Sequence, residues 1–337
     1  MRKLSIVIPC RNEKPFIEEC IRAIFEADLP SDVQSQVFVV DGMSDDGTRE
    51  VVTELSQEFV NLHLVDNVKQ LTPYAFNLGI YAGGKVDFVQ IIGARHIISK
   101  NYLERSLEIL ENDPEIWCVG GRIINEYTSH TSEIIATAMS TSFGMGIGNF
   151  RTLTESGFTD TVTSPMYPYQ VFEQIGFFDE ELVRNQDDDF NFRVTKAGGK
   201  IYFAHDISLK YYVRGNYKGL WRQFFQYGYW KVYVNKKHKT ITTIRQLIPA
   251  LFVIYLGVFI LGFILEIPLI TSIPMFMYIV LAVSVSIRNA YEKISFLDLL
   301  PVFPLLHLSY GLGYLKGITD FIIRNQKPSD KQKRMSR

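Results

Sequence analysis

The amino-acid sequence predicts an α/β domain with a mixed, mostly parallel sheet and helices on both faces, followed by a C-terminal helical membrane region. Two observations lead to this prediction. Short apolar runs rich in β-branched residues alternate with amphipathic segments through the N-terminal half, and such alternation is typical of parallel sheets. Nearer the C-terminus only Glu266 is charged between Gln246 and Ile287, which leaves room for two spans of roughly 20 residues.

The alternation can be followed element by element. Leu4 to Pro9 (LSIVIP) is an apolar run that predicts a buried strand, and apolar residues at helical spacing follow from Ile17 to Ile24. The later elements are predicted strands at Val37–Val40, Leu62–Val65 and Val86–Ile92, and predicted helices at Val51–Phe59 and Tyr74–Ala82. This order predicts parallel strands joined by crossover helices.

Polar clusters follow three of these strands. They comprise Cys10 to Glu13, Asp41 to Thr48 and Gly93 to His96. Ligands of open α/β sheets bind at the carboxyl ends of the strands. We therefore expect the three clusters to meet in one crevice.

Residues 120–165 are rich in Gly, Ser and Thr and have no firm period. Loops and short helices that line an acceptor channel fit this composition, and so does a merely irregular connection. After Phe172 the pattern becomes regular again. A helix is predicted through QDDDFNFRVTK, ended by Gly198 and Gly199, with a strand after it.

Charge is segregated along the chain although the net charge is only −1. No acidic residue lies between Asp206 and Glu266, whereas nine basic residues do: Lys210, Arg214, Lys218, Arg222, Lys231, Lys236, Lys237, Lys239 and Arg245. A basic stretch beside apolar spans is typical of a cytoplasmic segment that faces anionic lipids. We therefore expect membrane lipids, and no nucleic acid, as its partner.

The predicted membrane region contains two spans, 247–265 and 267–287, and a third apolar segment at 299–315. The prolines and glycines of that third segment favour a re-entrant or interfacial path, because a full crossing would place the basic tail outside. The chain is thus divided into a domain at 1–215, an amphipathic interface helix with a basic linker at 216–245, the membrane region at 246–318 and a cytoplasmic tail at 319–337.

The N-terminus and the cysteines argue against a secreted protein and against a cysteine-bound metal site. Met1 to Pro9 lacks the long apolar core of a signal peptide. Cys10, Cys20 and Cys118 have no metal-binding spacing, which predicts buried thiols in a reducing cytosol.

Several of these segments resemble glycosyltransferase family 2, which has the GT-A fold, and its membrane-associated subgroup similar to succinoglycan-type exopolysaccharide transferases. The resemblance covers roughly residues 4–315. It is carried, in order, by SIVIPCRNE, VVDGMSDDGT, YAFNLGIYAGGK, FEQIGFFDEELVRNQDDDFNFRVTKAGGKI and WRQFFQYGYW.

The resemblance implies an inverting sugar transfer in which Asp187 is the catalytic base and Asp188 its neighbour in the site. Repulsion among adjacent carboxylates favours proton uptake by one of them. A solvated helix N-terminus, where acids complement the helix dipole, is the structural alternative. Gln186 departs from the family glutamate at that position.

The resemblance also implies a set of nucleotide contacts. Asp41 is similar to the family aspartate that accepts a hydrogen bond from uracil, and a turn-initiating role is its alternative. For Asn12 and Glu13 the alternative is a helix cap. The full implied set is Pro9, Asn12, Glu13, Asp41, Asp46, Asn77 and Gly79.

The family's metal-binding Asp-x-Asp, or Asp-x-His, is replaced here by Gly93-Ala94-Arg95 followed by His96. Mg²⁺ or Mn²⁺ requires carboxylate oxygens, so a divalent cofactor is doubtful. Three alternatives remain. Arg95 is a fixed cation that stabilises the diphosphate, or His96 is one ligand of a weakened metal site, or the protein has lost the activity.

The resulting hypothesis is a hexosyltransferase in the plasma membrane, multi-pass and with a cytoplasmic catalytic domain, that uses a UDP-sugar donor and a lipid-linked glycan acceptor. The resemblance suggests acceptor contacts at Gln223, Tyr227 and Trp230, with membrane packing as the alternative. A catalytically silent nucleotide-sugar-binding or scaffold subunit stays open as the second hypothesis. A polysaccharide assembly complex and a homo-oligomer both stay open as assemblies.

Overall fold

The computed structural model describes residues 1–146, 150–213, 215–266 and 268–328, with only the backbone described for Phe263 and residues 268–270. The chain divides into two compact units. Unit one comprises Met1–Glu126 and Leu153–Tyr212, and unit two comprises Tyr127–Thr152 and the chain from Val213 onward. Arg214 and the tail beyond residue 328, which belong to the predicted basic segments, lie outside the described residues.

The described part of the chain forms one mixed sheet of nine strands. They are β1 Arg2–Cys10, β2 Val33–Asp41, β3 Leu62–Asp66, β4 Phe88–Ile91, β5 His96–Ile98, β6 Ile116–Tyr127, β7 Gly157–Thr159, β8 Thr163–Pro168 and β9 Lys200–Val213. Their order is β3-β2-β1-β4-β8-β6-β9-β5, with β7 paired to β9. The strands β1 to β4 pair in parallel, whereas β8 is antiparallel to both β4 and β6. The mixed α/β sheet is therefore confirmed.

Strand register brings the polar strand ends together. Cys10 lies opposite Asp41 in the β1–β2 pair, and Asp41 lies opposite Asp66 in the β2–β3 pair. All three strands end at this level because each next residue enters a polar turn. The carboxyl edge of the sheet is consequently lined by acidic side chains.

Six helices of unit one complete its described part. They are α1 Lys14–Phe25, α2 Thr48–Glu58, α3 Thr72–Gly83, α4 Tyr102–Asn112, α7 Tyr169–Ile175 and α8 Gln186–Lys196. In α1 the buried residues Ile17, Cys20, Ile21 and Ile24 recur at helical spacing and pack into the core under β1 and β2. The predicted alternation of strands and helices is confirmed.

The described helices of unit two are α5 His130–Met139, α6 Ser142–Met145, α9 Tyr217–His238, α10 Ile248–Ile264, α11 Pro268–Asn289, α12 Phe296–Leu299 and α13 Val302–Gly317. Residues 127–152 fold with the C-terminal helices, although the sequence analysis placed them in the domain at 1–215. The contacts explain this difference: Tyr291 donates a hydrogen bond to Glu133 at 2.7 Å, and His307 Nε2 lies 2.9 Å from the carbonyl oxygen of Phe143.

Three helical segments among the described residues are long and apolar enough to cross a membrane. They are Ile244–Gly262, Thr271–Asn289 and Phe296–Ile323, with mean hydropathies of 2.1, 1.5 and 1.3. The first two correspond to the predicted spans. The third covers the segment predicted at 299–315, and its path in the membrane stays a prediction. Pro301 caps α13 and Pro304 lies in its first turn, where a missing N–H breaks no helical bond, so both prolines fit one continuous helix.

Helix α9, in the segment predicted as an amphipathic interface helix, packs closely against α13. Trp230 and Lys231 are both 1% exposed, and Lys231 Nζ donates a hydrogen bond to Thr243 at 3.3 Å. A Cβ atom at Gly228 would collide with the Tyr310 carbonyl, and one at Gly313 would collide with the Phe225 carbonyl. The two glycines therefore allow the two backbones to touch.

We expect Gly313→Ala to destabilise unit two by about 1–3 kcal/mol, because the added methyl group meets backbone that cannot swing aside. Thermal unfolding in detergent measures this. Gly257→Ala in α10 is the matched control, since nothing lies within 4 Å of its Cβ position. Equal unfolding temperatures for the two variants would contradict the close α9–α13 contact.

Candidate active site

Asp41 ends β2 and is completely buried. Its Oδ2 accepts hydrogen bonds from the Ser44 backbone N–H at 2.9 Å and from Arg49 Nη1 at 2.8 Å, and its Oδ1 accepts one from the Ser44 hydroxyl. Arg49 also donates to Asp66 Oδ1 at 2.8 Å. These three hydrogen bonds hold the carboxylate in place, and its contact with a nucleobase stays a prediction.

The turn after β1 is joined to the turn after β2 by hydrogen bonds. Asn12 donates from its backbone to Ser44 Oγ at 2.8 Å and from its side chain to Asp45 Oδ1 at 2.9 Å. Asp46 Oδ2 accepts a hydrogen bond from the Lys14 backbone at 3.1 Å. Two segments that the sequence places far apart thus form one rigid rim at the strand ends.

Glu13 and Arg95 form an ion pair across this rim. Arg95 Nε donates to Glu13 Oε2 at 2.6 Å, with side chains that are 22% and 10% exposed respectively. The Arg95 guanidinium carbon also lies 4.4 Å from the centroid of the Phe16 ring. Carboxylate and aromatic ring together fix the direction of the arginine.

His96 is held on the other side of the β4 end. Its Nδ1 lies 2.7 Å from the Ser164 hydroxyl, and Ser164 itself has a backbone φ of 43°. A Cβ atom at Gly93 would lie 3.0 Å from His96 Cε1. The imidazole thus occupies the space into which a side chain at position 93 would extend.

These residues do not fit a divalent cation. Within the described ranges, no group of three or more His, Cys, Asp or Glu side chains is arranged to hold a metal ion. Position 93 carries no carboxylate, Glu13 is bonded to Arg95, and His96 is bonded to Ser164. Mg²⁺ and Mn²⁺ sites need several oxygen ligands, so this donor set is poor.

Three predicted nucleotide contacts take part in packing. Pro9 pairs with β2 inside the sheet. The Asn77 side chain both donates to and accepts from the Phe178 backbone, at 2.9 and 3.0 Å. A Cβ atom at Gly79 would collide with Val7, so this glycine lets α3 approach the sheet closely. Each of the three has a structural explanation.

The three adjacent aspartates of α8 have different surroundings. Asp189 is completely buried and pairs with Arg193 at 3.0 Å. Asp188 Oδ2 accepts a hydrogen bond from the Asn185 side chain at 2.9 Å. Asp187 is exposed at the N-terminus of the helix, where its Oδ1 accepts from the Asp188 backbone at 3.0 Å. Only Asp187 is therefore well exposed to an incoming hydroxyl group.

Gln186 precedes these acids, and its Oε1 is buried with no hydrogen-bond partner among the described residues. A glutamate would place a charged oxygen in that position, beside three carboxylates. Such a buried, unpaired charge costs several kcal/mol or more. The departure from the family glutamate thus has a physical reason.

Tyr167 places α8 near the central strands. It lies in β8, and its ring centroid is 5.2 Å from that of Phe190 in α8. Burial raises the pKa of Tyr167 well above its usual value, and the nearby Asp187 charge adds to this. Helix α8 consequently packs against the strand that pairs with β4.

The predicted acceptor residues lie on α9 in unit two. Gln223 Nε2 donates to the Tyr227 hydroxyl at 2.7 Å, and both side chains are half-buried. Trp230 packs against Tyr229 and Phe321 and is 1% exposed. The burial of Trp230 favours the packing alternative for this residue, and the acceptor contacts stay a prediction.

The three cysteines lie in the core, as predicted. Burial raises the pKa of Cys20 to about 12 and raises those of Cys10 and Cys118 further. We expect no alkylation by iodoacetamide at pH 8 in the native protein, because the thiolate is the reacting form, and full alkylation in guanidinium. Mass spectrometry counts the adducts; rapid native alkylation of any of the three would contradict their burial.

The structure thus brings Asn12, Glu13, Asp46 and Arg95 together at one rim, with Asp41 beneath it. The sequence analysis did not single out the residues that hold the predicted site residues in place: Arg49 and Ser44, which bind Asp41, and Ser164, which contacts His96. Arg49 and Ser44 lie in the same predicted turn and helix start as Asp41, but their pairing depends on how that turn folds. Ser164 stands out only by its positive backbone φ, which is visible in the structure and cannot be read from the sequence.

Comparison with known proteins gives the family of this chain and its relatives. The family model described as glycosyl transferase family 2 matches residues 5–176. A relative from Methanococcus voltae, a dolichyl N-acetyl-alpha-D-glucosaminyl phosphate 3-beta-D-2,3-diacetamido-2,3-dideoxy-beta-D-glucuronosyltransferase, is 32% identical over 68% of this chain and 72% of its own. The succinoglycan biosynthesis protein ExoA of Rhizobium meliloti is 28% identical over 72% and 73%.

A solved structure shares the fold. The mannosyltransferase PcManGT from Pyrobaculum calidifontis, in complex with GDP-Man and Mn²⁺, aligns with a TM-score of 0.60 at 16% identity, covering 94% of this chain and 87% of its own. This likeness supports the GT-A fold. The matched residues 5–176 contain the strands β1 to β8 and therefore most of the rim described above. The protein belongs to glycosyltransferase family 2 and is a glycosyltransferase, with the inverting mechanism that fits this family.

Proposed function

We propose that this enzyme transfers a hexose from a UDP-sugar to a lipid-linked or membrane-proximal glycan during cell-surface polysaccharide synthesis, with Asp187 as the general base. The observation that carries the proposal is the different exposure of the three aspartates of α8. Asp189 is completely buried and Asp188 is half-buried, whereas Asp187 is exposed. A base must be within reach of the hydroxyl group that it deprotonates.

In the proposed reaction the acceptor hydroxyl oxygen attacks the anomeric carbon of the donor. The bond from that carbon to the diphosphate oxygen breaks, its electron pair leaves with the nucleoside diphosphate, and Asp187 takes the hydroxyl proton. One displacement inverts the anomeric configuration. The charge that develops on the leaving diphosphate has to be stabilised by groups at the strand ends.

The acceptor class is supported by the membrane region and by the relatives. The M. voltae relative is named for a dolichyl phosphate acceptor and the R. meliloti relative for succinoglycan synthesis. Basic residues flank the first two candidate spans, with Lys237 and Lys239 before the first and Arg288 at the end of the second. This distribution favours a multi-pass protein with its catalytic unit on the cytoplasmic side.

A donor panel tests the proposal. Purified full-length enzyme, reconstituted with a lipid extract from its native membrane, is given a series of UDP-hexoses and, for comparison, GDP-mannose, and nucleoside diphosphate release is measured. We expect release from one or more UDP-sugars that depends on the extract. Release from GDP-mannose alone would contradict the UDP donor, and release that does not need the extract would contradict the acceptor class.

A further inference from the structure

The end of β4 lacks the carboxylate that its family relatives are expected to offer a metal, and the space for that carboxylate is filled. A Cβ atom at Gly93 would be 3.0 Å from Cε1 and 3.1 Å from Nδ1 of His96. His96 is held in place by its contact of 2.7 Å with Ser164. Restoring a carboxylate would therefore require the imidazole to move.

A cation belonging to the chain itself lies at the same strand end. Arg95 uses Nε to bond Glu13, and its guanidinium lies over the Phe16 ring. Nη1 and Nη2 of Arg95 have no hydrogen-bond partner among the described residues, and the side chain is 22% exposed. The two outer nitrogens of the guanidinium are thus free to donate while its inner nitrogen is anchored.

We propose that Arg95 binds and neutralises the donor diphosphate in place of a divalent cation, so that the enzyme works without a metal. This inference rests on the proposed function. A guanidinium offers two parallel N–H donors that match two phosphate oxygens, which a metal ion would otherwise bridge. The carboxyl ends of β1 and β4 are where a ligand of this sheet binds.

The charge and bond changes of the step balance without a metal. When the bond from the anomeric carbon to the diphosphate breaks, the electron pair stays on the terminal phosphate oxygen. Arg95 donates hydrogen bonds to the diphosphate but gives up no proton, because a guanidinium group is not deprotonated in proteins. The only proton transferred is the acceptor hydroxyl proton, which Asp187 takes.

Glu13 is a positioning residue in this arrangement. Its Oε2 fixes Arg95 Nε at 2.6 Å, and its own backbone N–H donates to Thr48 Oγ1 at 3.0 Å. The anchor at Nε leaves the guanidinium with little freedom to turn away from the strand ends. Such preorganised donors stabilise developing charge without having to rearrange during the reaction.

Calorimetric titration of the full-length protein with UDP and with uridine, in EDTA and in Mn²⁺, tests the proposal apart from turnover. We expect the wild type to bind UDP in EDTA, and Arg95→Ala to bind UDP about 10- to 100-fold more weakly, as expected for loss of a hydrogen bond between charged groups. Uridine lacks the diphosphate, so its affinity should stay the same. Unchanged uridine binding also shows that the variant is folded.

Two further variants make the test specific. Arg105 is the matched control, because its Nε also pairs with a carboxylate, Asp206 at 2.7 Å, but on the surface of α4. Arg105→Ala should leave UDP affinity within about twofold of the wild type. Arg95→Lys keeps the positive charge but loses the two parallel N–H donors of the guanidinium. Its affinity for UDP should lie between those of Arg95→Ala and the wild type.

The outcomes separate this inference from the proposed function. UDP binding that requires Mn²⁺ and is equal in the wild type and Arg95→Ala would overturn the role of Arg95 and leave the donor class standing. Equal losses of UDP and uridine affinity in Arg95→Ala and Arg95→Lys would assign the arginine a merely structural role. No UDP binding by the wild type, with or without Mn²⁺, would overturn the proposed function itself.

Discussion

We expect the Asp187→Asn variant to transfer sugar about 10²- to 10⁴-fold more slowly than the wild type, which is the usual contribution of a general base. Asparagine has nearly the same shape but cannot take the acceptor proton. Asp187 is exposed, and its described hydrogen bond is with the Asp188 backbone, so the fold should be kept. The rate of nucleoside diphosphate release from the preferred donor measures the effect.

Asp188→Asn is the matched control for this prediction. Asp188 is the next residue of α8 and carries the same charge, but its Oδ2 is bonded to Asn185. We expect a loss of about tenfold or less, since a hydrogen bond is weakened and no proton acceptor is removed. A larger loss in Asp188→Asn than in Asp187→Asn would move the base to position 188.

Asp189→Asn should have the largest effect on stability, lowering the free energy of unfolding by about 3–5 kcal/mol. The completely buried Asp189 carboxylate neutralises Arg193, which is 17% exposed. Arg193 also donates to the carbonyl oxygens of Ile175 and Phe177 at 2.6 and 2.8 Å. In Asp189→Asn the positive charge of Arg193 therefore loses the carboxylate that neutralises it.

Urea denaturation followed by tyrosine and tryptophan fluorescence measures that loss. The exposed pair of Arg105 and Asp206 is the control, because Arg105→Ala removes a surface ion pair worth about 0–1 kcal/mol. A midpoint for Asp189→Asn equal to that of the control would show that Arg193 is stabilised by its carbonyl contacts alone.

Much of the fold could be predicted because its signals are local. The apolar runs of β1 and β2 are continuous, and the buried positions of α1 recur at helical spacing. The strand β6 reaches Tyr127 and so enters residues 120–165, for which the sequence predicts loops and short helices because they are rich in Gly, Ser and Thr and have no firm period. In the structure a Cβ at Gly120 or Gly121 would collide with neighbouring strands, which is a tertiary constraint.

For the site, the sequence predicts which strand ends come together but not which side chains bind one another there. The carboxyl ends of β1, β2 and β4 meet as expected, because strand register follows from the hydrophobic pattern. The partners could not be foreseen. The bond from Arg49 to Asp41 depends on how one turn folds, and Glu13 holds Arg95, which lies 82 residues away in sequence. The same holds for Trp230, whose burial depends on the close approach of α9 and α13.

The most direct test of the central claim is the transfer of a labelled sugar in membranes that contain the native lipids. The preferred UDP-sugar, labelled in the hexose, is incubated with membranes that carry the wild type or Asp187→Asn in equal amounts, and the lipid-extractable label is counted. We expect labelled lipid with the wild type and almost none with Asp187→Asn. Equal labelling by the two proteins, or label that appears in neither, would contradict an Asp187-dependent transfer to a lipid-linked acceptor.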